Sequence, residues 1–445
     1  MDKKVIYAIA VVAILVVASV GVYFVMSKDR SADYSPSSLD GAELKVFGNI
    51  NGDRYLDADD ADMIGDLIAQ GATAEEYPLA DANRDGVIDS KDVDVVTAVA
   101  EGRDTTIWHV NYHDVDGDSV MEEEIVSSHF PVRSVIISAS ANISMHLFSI
   151  GITDEVKGAA YTDGTLDDVL YGSNYLDTSK VAKIGESVTN ISLEDGQMGA
   201  SDVIAQHDVT ALITDWNQNY ITNENDFENA GVDVIRVSCN SVDPVDMTHT
   251  MMLLGLLFQK VDRAEAYLDL NLEILDYAVD SVAGQERSTF VASTMKGRIS
   301  SGTSDYSTIL ELAGGEFGLK NVDFGTANTI KISEHPEVYL EDFDYILHMR
   351  TTLGYSQDME QVKSDWDNYT SAFSDWEHAK TGQYLVSNSI ATPLKVAYAA
   401  SVLHPDCVDL DRVNELHQQL VDQFFNGVEL DISEMMFVVS AQDMA

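Results

Sequence analysis

Residues 244–282 read PVDMTHTMMLLGLLFQKVDRAEAYLDLNLEILDYAVDSV, and this stretch decides the fold. Its apolar residues recur at helical spacing and no proline follows Pro244, so the pattern predicts one long helix. On both sides of it, apolar runs of strand length alternate with helical stretches, which is typical of βαβ units and parallel sheets. The sequence therefore predicts an α/β chain of two Rossmann-like lobes, 105–243 and 285–445. A single linking helix over 244–284 would join them and permit small hinge motion about a cleft.

The predicted strands share an apolar, β-branched character. They are SVIISA (134–139), EVKGAAY (155–161), TALITD (210–215) and DVIRVS (233–238) in the first lobe, and TFVAST (289–294), YILHMR (345–350) and GQYLVSN (382–388) in the second. Ahead of them, two alternating runs flank the turn dipeptide Asp116-Gly117 and predict a β-hairpin. This pattern favours a hairpin over a calcium loop for the acidic residues 114–118.

Composition excludes one large class of function. The chain has 445 residues, with 75 Asp and Glu against 26 Lys and Arg, which gives a formal net charge of −49. Nucleic-acid binding needs clustered cations, so we expect no nucleic-acid partner. Hydrophobic residues make up 45% of the chain, which is more than a disordered acidic polymer contains.

The N-terminal segment predicts a membrane location. Residues 5–26 (VIYAIAVVAILVVASVGVYFVM) carry no charge and are long enough to cross a bilayer as a helix. We interpret 1–30 as an uncleaved single-pass anchor, with a cleaved signal as the alternative, because signal peptides have shorter apolar cores. The polar linker 31–44 follows, and the acidic bulk of the chain is expected outside the cytoplasm.

Two segments between the linker and the first lobe have the spacing of calcium loops. Calcium prefers six to eight oxygen ligands, and alternating Asp and Asn around a tight turn provide them. The predicted ligands of loop 1 are Asn49, Asn51, Asp53, the Tyr55 carbonyl, Asp57 and Asp60, and those of loop 2 are Asp81, Asn83, Asp85, the Val87 carbonyl, Asp89 and Asp92. An apolar-periodic helix follows each loop, and Leu56 and Ile88 are expected in a small shared core.

This pair, residues 45–104, resembles a dockerin module, which has two loop–helix halves and Asp at the twelfth loop position. The resemblance implies two Ca²⁺ ions and a cohesin partner. Loop 1 departs from it with Asn49 at the first position and Arg54 at the usual glycine, where we expect strain and weaker binding. A calcium-stiffened spacer is the alternative.

The remainder, from about residue 106, resembles the metal-chelate class of ABC-importer binding proteins. Three passages carry the resemblance, namely the stretch 113–161 with its hairpin, Pro-Val-Arg strand and Ser-rich turn, DVIAQHDVTALITDW (202–216) and DYSTILELAGGEFG (305–318). The resemblance implies a small all-α calcium module joined to a solute-binding protein for ferric siderophores, haem or cobalamin, which would deliver its ligand to an ABC permease.

Ligands of such folds bind beyond the carboxyl ends of the strands. That rule predicts ligand contacts by Ser140, Asn142, Tyr161, Trp216, Tyr220 and Asn240 in the first lobe and by Lys296, Arg298, Arg350 and Asn388 in the second. Trp216 falls where the cobalamin-binding member of the family has a ligand-contacting tryptophan. Cations at strand ends of an acidic chain indicate an anionic ligand, although packing and salt bridges remain alternatives for individual residues.

The resemblance also implies that one surface glutamate per lobe docks on the permease. Glu334 and Glu337, in ISEHPEV, match the second lobe, and Glu194 or Asp202 is proposed for the first.

Other functions were weighed on the same residues. No Gly-x-Ser-x-Gly, P-loop or HExxH motif occurs, so we predict no catalytic residues and no enzyme activity. Direct Zn or Mn binding needs about three convergent histidines, with His146, His207, His249, His335 and His348 as candidate donors. A cell-surface adhesion or scaffold protein acting through dockerin–cohesin pairing is the other alternative.

Overall fold

The computed structural model describes residues 41–117, 120–138, 140–160, 167–168, 173–174, 180–185, 191, 193, 200–221, 223–295, 297–325, 327–351, 353–355, 357–376, 382–425 and 429–444. The chain forms two compact units, one ending at Arg103 and one from Asp104 to Ala445. The predicted anchor, 5–26, lies outside the described residues. Within the described part, no helix has both the length and the apolar character needed to span a membrane.

The first unit contains two loop–helix halves. Helices α1 (Ala58–Gln70) and α2 (Ser90–Ala100) each begin with a capping box, in which the N-cap aspartate and the aspartate three residues later bond each other's backbone. The two halves share a core, because Leu56 and Ile88 are both buried, as predicted. Gly48 fits tightly between the halves, since a Cβ atom there would lie 2.7 Å from Val96 Cγ2.

The second unit begins with the predicted hairpin. Strands β1 (Thr105–His113) and β2 (Glu122–Phe130) pair antiparallel in continuous register from Thr105↔Phe130 to His113↔Glu122. Gly117 in the connecting turn has φ 84°, which glycine adopts without strain.

Lobe 1 is a parallel sheet in the order β7-β4-β3-β8-β9. Its strands are β3 (Val135–Ile137), β4 (Val156–Ala160), β7 (Ala182–Gly185), β8 (Ala211–Asp215) and β9 (Asp233–Val237), and its helices are α3 (Ser140–Ser149), α4 (Ala200–His207) and α5 (Glu224–Asn229). The short pair β5 (Asp167–Asp168) and β6 (Ser173–Asn174) lies outside this sheet. Apolar side chains of β3, β8 and β9 pack against α4 and α5 as the core.

The prediction of one linking helix is wrong. Helix α6 (Pro244–Leu257) ends before α7 (Val261–Val282) begins, because Gln259 takes a left-handed φ of 56° and closes the end of α6. Gly255 lets the two helices approach, since a Cβ atom there would lie 2.6 Å from the Ala264 Cβ. Helix α6 is buried almost all round, so α7 alone leads from lobe 1 to lobe 2.

Lobe 2 is a mixed sheet in the order β13-β11-β10-β14-β15-β16, with β12 also paired to β10. Its strands are β10 (Thr289–Met295), β11 (Arg298–Ser300), β12 (Glu316–Phe317), β13 (Thr329–Lys331), β14 (Tyr345–His348), β15 (Gln383–Val386) and β16 (Val438–Ser440), and its helices are α8 (Asp305–Leu312), α9 (Met359–Thr370), α10 (Thr392–Leu403) and α11 (Leu410–Phe424). The central strands β10, β14 and β15 are parallel, so their carboxyl ends meet at one edge, as they do in lobe 1.

Candidate functional site

In lobe 1, the strand β8 delivers an acidic residue to the carboxyl edge of the sheet. Asp215 ends β8 and is 5% exposed. One carboxylate oxygen accepts the Asn217 N–H at 3.3 Å, and the other is buried and has no hydrogen-bond partner among the described residues. Burial raises the pKa of Asp215 to about 7. Trp216 and a short 3-10 turn, Gln218–Tyr220, follow it.

In lobe 2, the matching edge carries a buried lysine. Lys395 lies on α10 at 6% exposure, and its Nζ is 3.5 Å from Asn388 Oδ1. Burial lowers its pKa to about 8, an effect that the carboxylate of Asp305 partly opposes. Asp305 begins α8, and its own pKa is raised by burial and lowered by Lys395. The charges of Lys395 and Asp305 therefore act on each other, and burial shifts the pKa of both groups.

Arg350, which follows β14 and is exposed, acts electrostatically on tyrosines of both lobes. Burial raises the pKa of Tyr220 to about 12, and the Arg350 charge opposes that rise across the cleft. The same guanidinium opposes the burial-driven rise in the pKa of Tyr306, on α8. It also opposes the rise in the pKa of Tyr369 to about 12, which burial again causes, and the Tyr369 hydroxyl donates to the Arg350 carbonyl.

Arg350 forms no ion pair with any residue that the structure describes. Some other arginines of this acidic chain pair with carboxylates, as Arg412 does with Glu273 at 3.0 Å and Glu415 at 3.2 Å, whereas Arg263 and Arg298 bond neutral oxygen atoms. An exposed guanidinium that has no carboxylate partner among the described residues is suited to bind an anion.

The predicted cleft residues divide into three groups. Tyr220 and Arg350 interact electrostatically across the lobes, and Asn388 accepts a hydrogen bond from Lys395. Arg298 instead donates to Thr329 Oγ1 at 3.2 Å between β11 and β13, and Trp216 and Asn240 are half-buried after β8 and β9. Ser140 and Asn142 lie in the first turn of α3, their side chains not being described, while Tyr161, Lys296 and Glu194 lie outside the described residues.

Five residues of the cleft were missed by sequence reasoning, namely Asp215, Asp305, Tyr306, Tyr369 and Lys395. A signal existed for one of them: Lys395 is the only charge in the helical run TPLKVAYAASVL. The acids and tyrosines gave no such contrast, because both residue types are frequent throughout the chain.

The five candidate histidines, all of which the structure describes, do not form a common metal site. Three of them bond separate partners through Nε2, His146 to the Cys239 carbonyl at 2.9 Å, His249 to the Val110 carbonyl at 3.0 Å and His348 to Gln383 Oε1 at 3.0 Å. His335 pairs with Glu337 at 2.9 Å, and His207 lies on α4. The positions of these five candidate donors therefore do not support the alternative of direct Zn or Mn binding by three convergent histidines.

The described residues contain one group of three or more carboxylates, histidines or cysteines with converging ligand atoms. It comprises Asp114, Asp116 and Glu122 at the tip of the β1–β2 hairpin. Asp114 Oδ1 accepts the Gly117 N–H at 2.8 Å, and Glu122 accepts the Val115 N–H at 2.9 Å. These bonds account for the acids as turn residues.

Loop 2 of the first unit is a tight turn in which two of the predicted ligand side chains accept hydrogen bonds from backbone N–H groups of the loop. Asp81 accepts the N–H groups of Asp85 at 3.0 Å and Gly86 at 2.9 Å, and Gly86 has φ 90°. Asp92 accepts the N–H groups of Asn83 at 3.1 Å and Asp89 at 2.8 Å. Carboxylate and amide oxygens are thus gathered around one turn, and the donor set fits calcium.

Loop 1 repeats this arrangement with one difference. Asp60 accepts the N–H groups of Ile50 at 2.9 Å and Asp57 at 3.1 Å, and burial raises its pKa to about 7. The strain predicted at Arg54 is absent, because the positive φ of 73° falls on Gly52 instead. Arg54 bonds Glu43 at 3.1 Å. The hard oxygen donors of loop 1 also fit calcium.

Loop 2 differs from loop 1 in having a positive charge, that of Lys91, beside its predicted calcium ligands. Its Nζ lies 2.6 Å from Asp85 Oδ2 and 3.5 Å from Asp89 Oδ2, two of the predicted calcium ligands. Loop 1 has Asp59 at the same position. A cation in loop 2 would have to compete with this ammonium group.

The predicted docking glutamates of lobe 2 are exposed on consecutive 3-10 turns, Ile332–Glu334 and Pro336–Leu340. Glu334 pairs with Lys331 at 3.1 Å, and Glu337 pairs with His335 at 2.9 Å. Leu340, 84% exposed, lies beside them.

No protein-family model matches the chain, and no curated protein matches its sequence. Solved structures do match its fold. The TroA-like periplasmic binding protein FepB of Veillonella parvula is 14% identical, with a TM-score of 0.52 over 69% of this chain and 95% of its own. Helicobacter pylori CeuE, solved with Ni(II) bound, is 16% identical, with a TM-score of 0.50 over 73% of this chain and 98% of its own. The chain therefore has the two-lobed α/β fold of periplasmic binding proteins.

Proposed function

We propose that this protein is the extracytoplasmic solute-binding component of an ABC importer. It captures a metal chelate, such as a ferric siderophore, haem or a corrinoid, and delivers it to a membrane permease. The fold supports the class of protein, since one protein of the same fold is a TroA-like periplasmic binding protein and another was solved with Ni(II) bound.

The observation that carries this proposal is Arg350. It is an exposed cation whose charge acts on the phenols of Tyr220 in lobe 1 and Tyr306 in lobe 2. It forms no ion pair with a carboxylate among the described residues. In a chain of 75 acids, an exposed arginine that has no carboxylate partner among the described residues is available to bind an anionic ligand. Its planar fork would bind a carboxylate, catecholate or phosphate group, and the surrounding hydroxyls would donate further hydrogen bonds.

The mechanism is capture without catalysis. The ligand would lie between the lobes, with its acidic group on Arg350 and its apolar surface against Trp216 and the tyrosines. Lys395, buried beside Asn388, supplies a second positive charge that is less exposed to solvent than that of Arg350. Glu334 and Glu337 would then meet cations of the permease, because both are exposed on one surface of lobe 2.

Tryptophan fluorescence tests the proposal. We expect haemin, cyanocobalamin or a ferric siderophore to quench the emission with micromolar or tighter affinity. Quenching by free Zn²⁺ alone would contradict the proposal in favour of bare-metal transport. Binding to a cohesin with no response to any chelate would favour an adhesion or scaffold protein.

We further propose that loops 1 and 2 bind two Ca²⁺ ions and that residues 45–104 form a dockerin-like module with a cohesin partner. The oxygen donors gathered around Asp60 and Asp92 support metal binding. Calcium would neutralise these acids and stiffen both turns. Calorimetric titration of the EDTA-treated chain should reveal two sites, and a chain that takes up no calcium would contradict this part.

We propose that the apolar segment 5–26 anchors the chain in the cell membrane, with the bulk outside the cytoplasm. Its length and lack of charge support this location. Membrane fractionation of the whole chain and of a chain lacking residues 1–30 tests it, since only the whole chain should sediment with membranes.

A further inference from the structure

Arg236 is the largest fully buried side chain of lobe 1, at 1% exposure on β9. An arginine is almost never fully buried unless it is paired. Glu224 on α5 provides the pairing, because its carboxylate accepts from Nη2 at 2.6 Å and from Nε at 3.2 Å. The backbone N–H of Arg236 also donates to Asn111 Oδ1 of the hairpin, at 3.0 Å.

The third nitrogen of the guanidinium has a different task. Nη1 donates to the backbone carbonyl of Asp215 at 3.1 Å and to that of Asn217 at 3.3 Å. These two carbonyls lie on either side of Trp216, whose own carbonyl accepts the Asp114 N–H at 3.1 Å. Hydrogen bonds from Arg236 and from the Asp114 N–H therefore hold three consecutive carbonyls at the end of β8.

This segment leads directly to the cleft. Its residues 215–220 include Trp216 and Tyr220, and Tyr220 is the lobe 1 side chain that interacts electrostatically with Arg350. A connection that follows a strand has few hydrogen bonds of its own and samples several positions unless other groups hold it. The Arg236 guanidinium supplies two of the bonds that hold this one.

We propose that Arg236 is a positioning residue for ligand binding. Through the carbonyls of Asp215 and Asn217, it fixes Trp216 and Tyr220 at the lobe 1 wall of the cleft. The consequence for binding rests on the proposed function, whereas the fixed position of Trp216 does not.

Two substitutions separate positioning from simple stability. Arg236→Lys keeps the positive charge beside Glu224, but a single ammonium group cannot reach that carboxylate and both carbonyls together. Glu224→Gln removes one charge of the buried pair and leaves the guanidinium free to hold the carbonyls. Both variants lose stability, so stability alone does not distinguish the two roles.

The readout is ¹⁹F NMR of the whole chain labelled with 5-fluorotryptophan. The chain has four tryptophans, and Trp216→Phe assigns the signal of Trp216. We expect Arg236→Lys to shift or broaden that signal while the signals of Trp108, Trp366 and Trp376 stay in place, and Glu224→Gln to leave all of them unchanged. A Trp216 signal that does not move in Arg236→Lys overturns the proposal.

The binding step uses the tightest of haemin, cyanocobalamin and ferrichrome as the probe. We expect its Kd to rise about tenfold or more in Arg236→Lys, which corresponds to about 1.4 kcal/mol, and to change far less in Glu224→Gln. Equal losses in both variants would overturn the positioning role. If none of the three binds the unmodified chain, the proposed function is contradicted, while the Trp216 signal still supports or overturns the fixed position.

Discussion

Arg263 donates from Nε to the carbonyl oxygen of Ser149 at 2.7 Å, and so ties helix α7 to the last residue of α3 in lobe 1. Its Nη2 donates to the carbonyl of Phe424 at 2.9 Å, the last residue of α11 in lobe 2. Carbonyls at helix C-termini carry partial negative charge and favour a cation. One guanidinium on the connecting helix therefore holds a helix end of each lobe.

Replacing Arg263 should loosen the lobes. Arg263→Met removes both bonds, and the loss of hydrogen bonds from a charged, half-buried group should lower the free energy of unfolding by about 2 kcal/mol. The distribution of distances between the lobes should also broaden. Spin labels on Ser201→Cys and Glu360→Cys, in a Cys407→Ser background, measure that distribution by pulsed EPR. An unchanged distribution, matching the exposed control Arg412→Met, would show that the bonds do not restrain the lobes.

Asp215→Asn should stabilise the chain in a pH-dependent way. Burial raises the pKa of Asp215 to about 7 from 3.8, so the folded state binds more protons than the unfolded state between these values and stability falls as pH rises. Above pH 7 the folded chain holds a buried charge that asparagine lacks. We expect the Tm to rise at pH 8, by about 2–4 °C per kcal/mol, and to change much less at about pH 4, close to the unfolded-state pKa of 3.8. Asp342→Asn, at an exposed position, is the control, and equal effects at both pH values would contradict this account.

Arg350→Ala should weaken binding of the chelate about 10- to 100-fold, because hydrogen bonds between charged groups contribute about 1.5–3 kcal/mol. Arg298→Ala is the matched control. Its guanidinium is already bonded to Thr329, so this substitution should have a much smaller effect. Fluorescence titration with the bound chelate measures both, and a larger loss for Arg298→Ala would reverse the assignment.

Lys91→Gln should raise the calcium affinity of loop 2 severalfold, because it removes the ammonium group that Asp85 and Asp89 now bind. Loop 1 should be unaffected. Arg103→Gln, which breaks an exposed ion pair with Glu101 in the same unit, is the control. Calorimetric titration distinguishes the two loops, and an unchanged or weakened second site would contradict this competition.

Much of the lobe architecture could be predicted from the sequence, because strands that are buried on both faces consist of continuous runs of apolar residues. TALITD, for example, contains the strand β8, and DVIRVS contains β9. The break at Gln259 could not be predicted, because glutamine rarely adopts a positive φ and tertiary packing of Gly255 against Ala264 enforces the turn. Helical periodicity continues across such a break.

The site was harder to predict than the fold. Arg350 was found because cations are scarce in this chain, and Tyr220 because it follows a strand. Asp215 and Lys395 also line the lobe edges, but their significance depends on burial and on partners from distant segments. Arg236 was read only as part of a strand, since its contacts with Asp215, Asn217 and Glu224 arise from the folded packing.

Native mass spectrometry with metal analysis, applied to the chain purified from its own source, tests the central claim most directly. The account predicts a bound metal-containing small molecule with at least one acidic group, retained by the unmodified chain and lost from Arg350→Ala. A chain that carries no chelate, or one that keeps the same chelate equally well without Arg350, would contradict it.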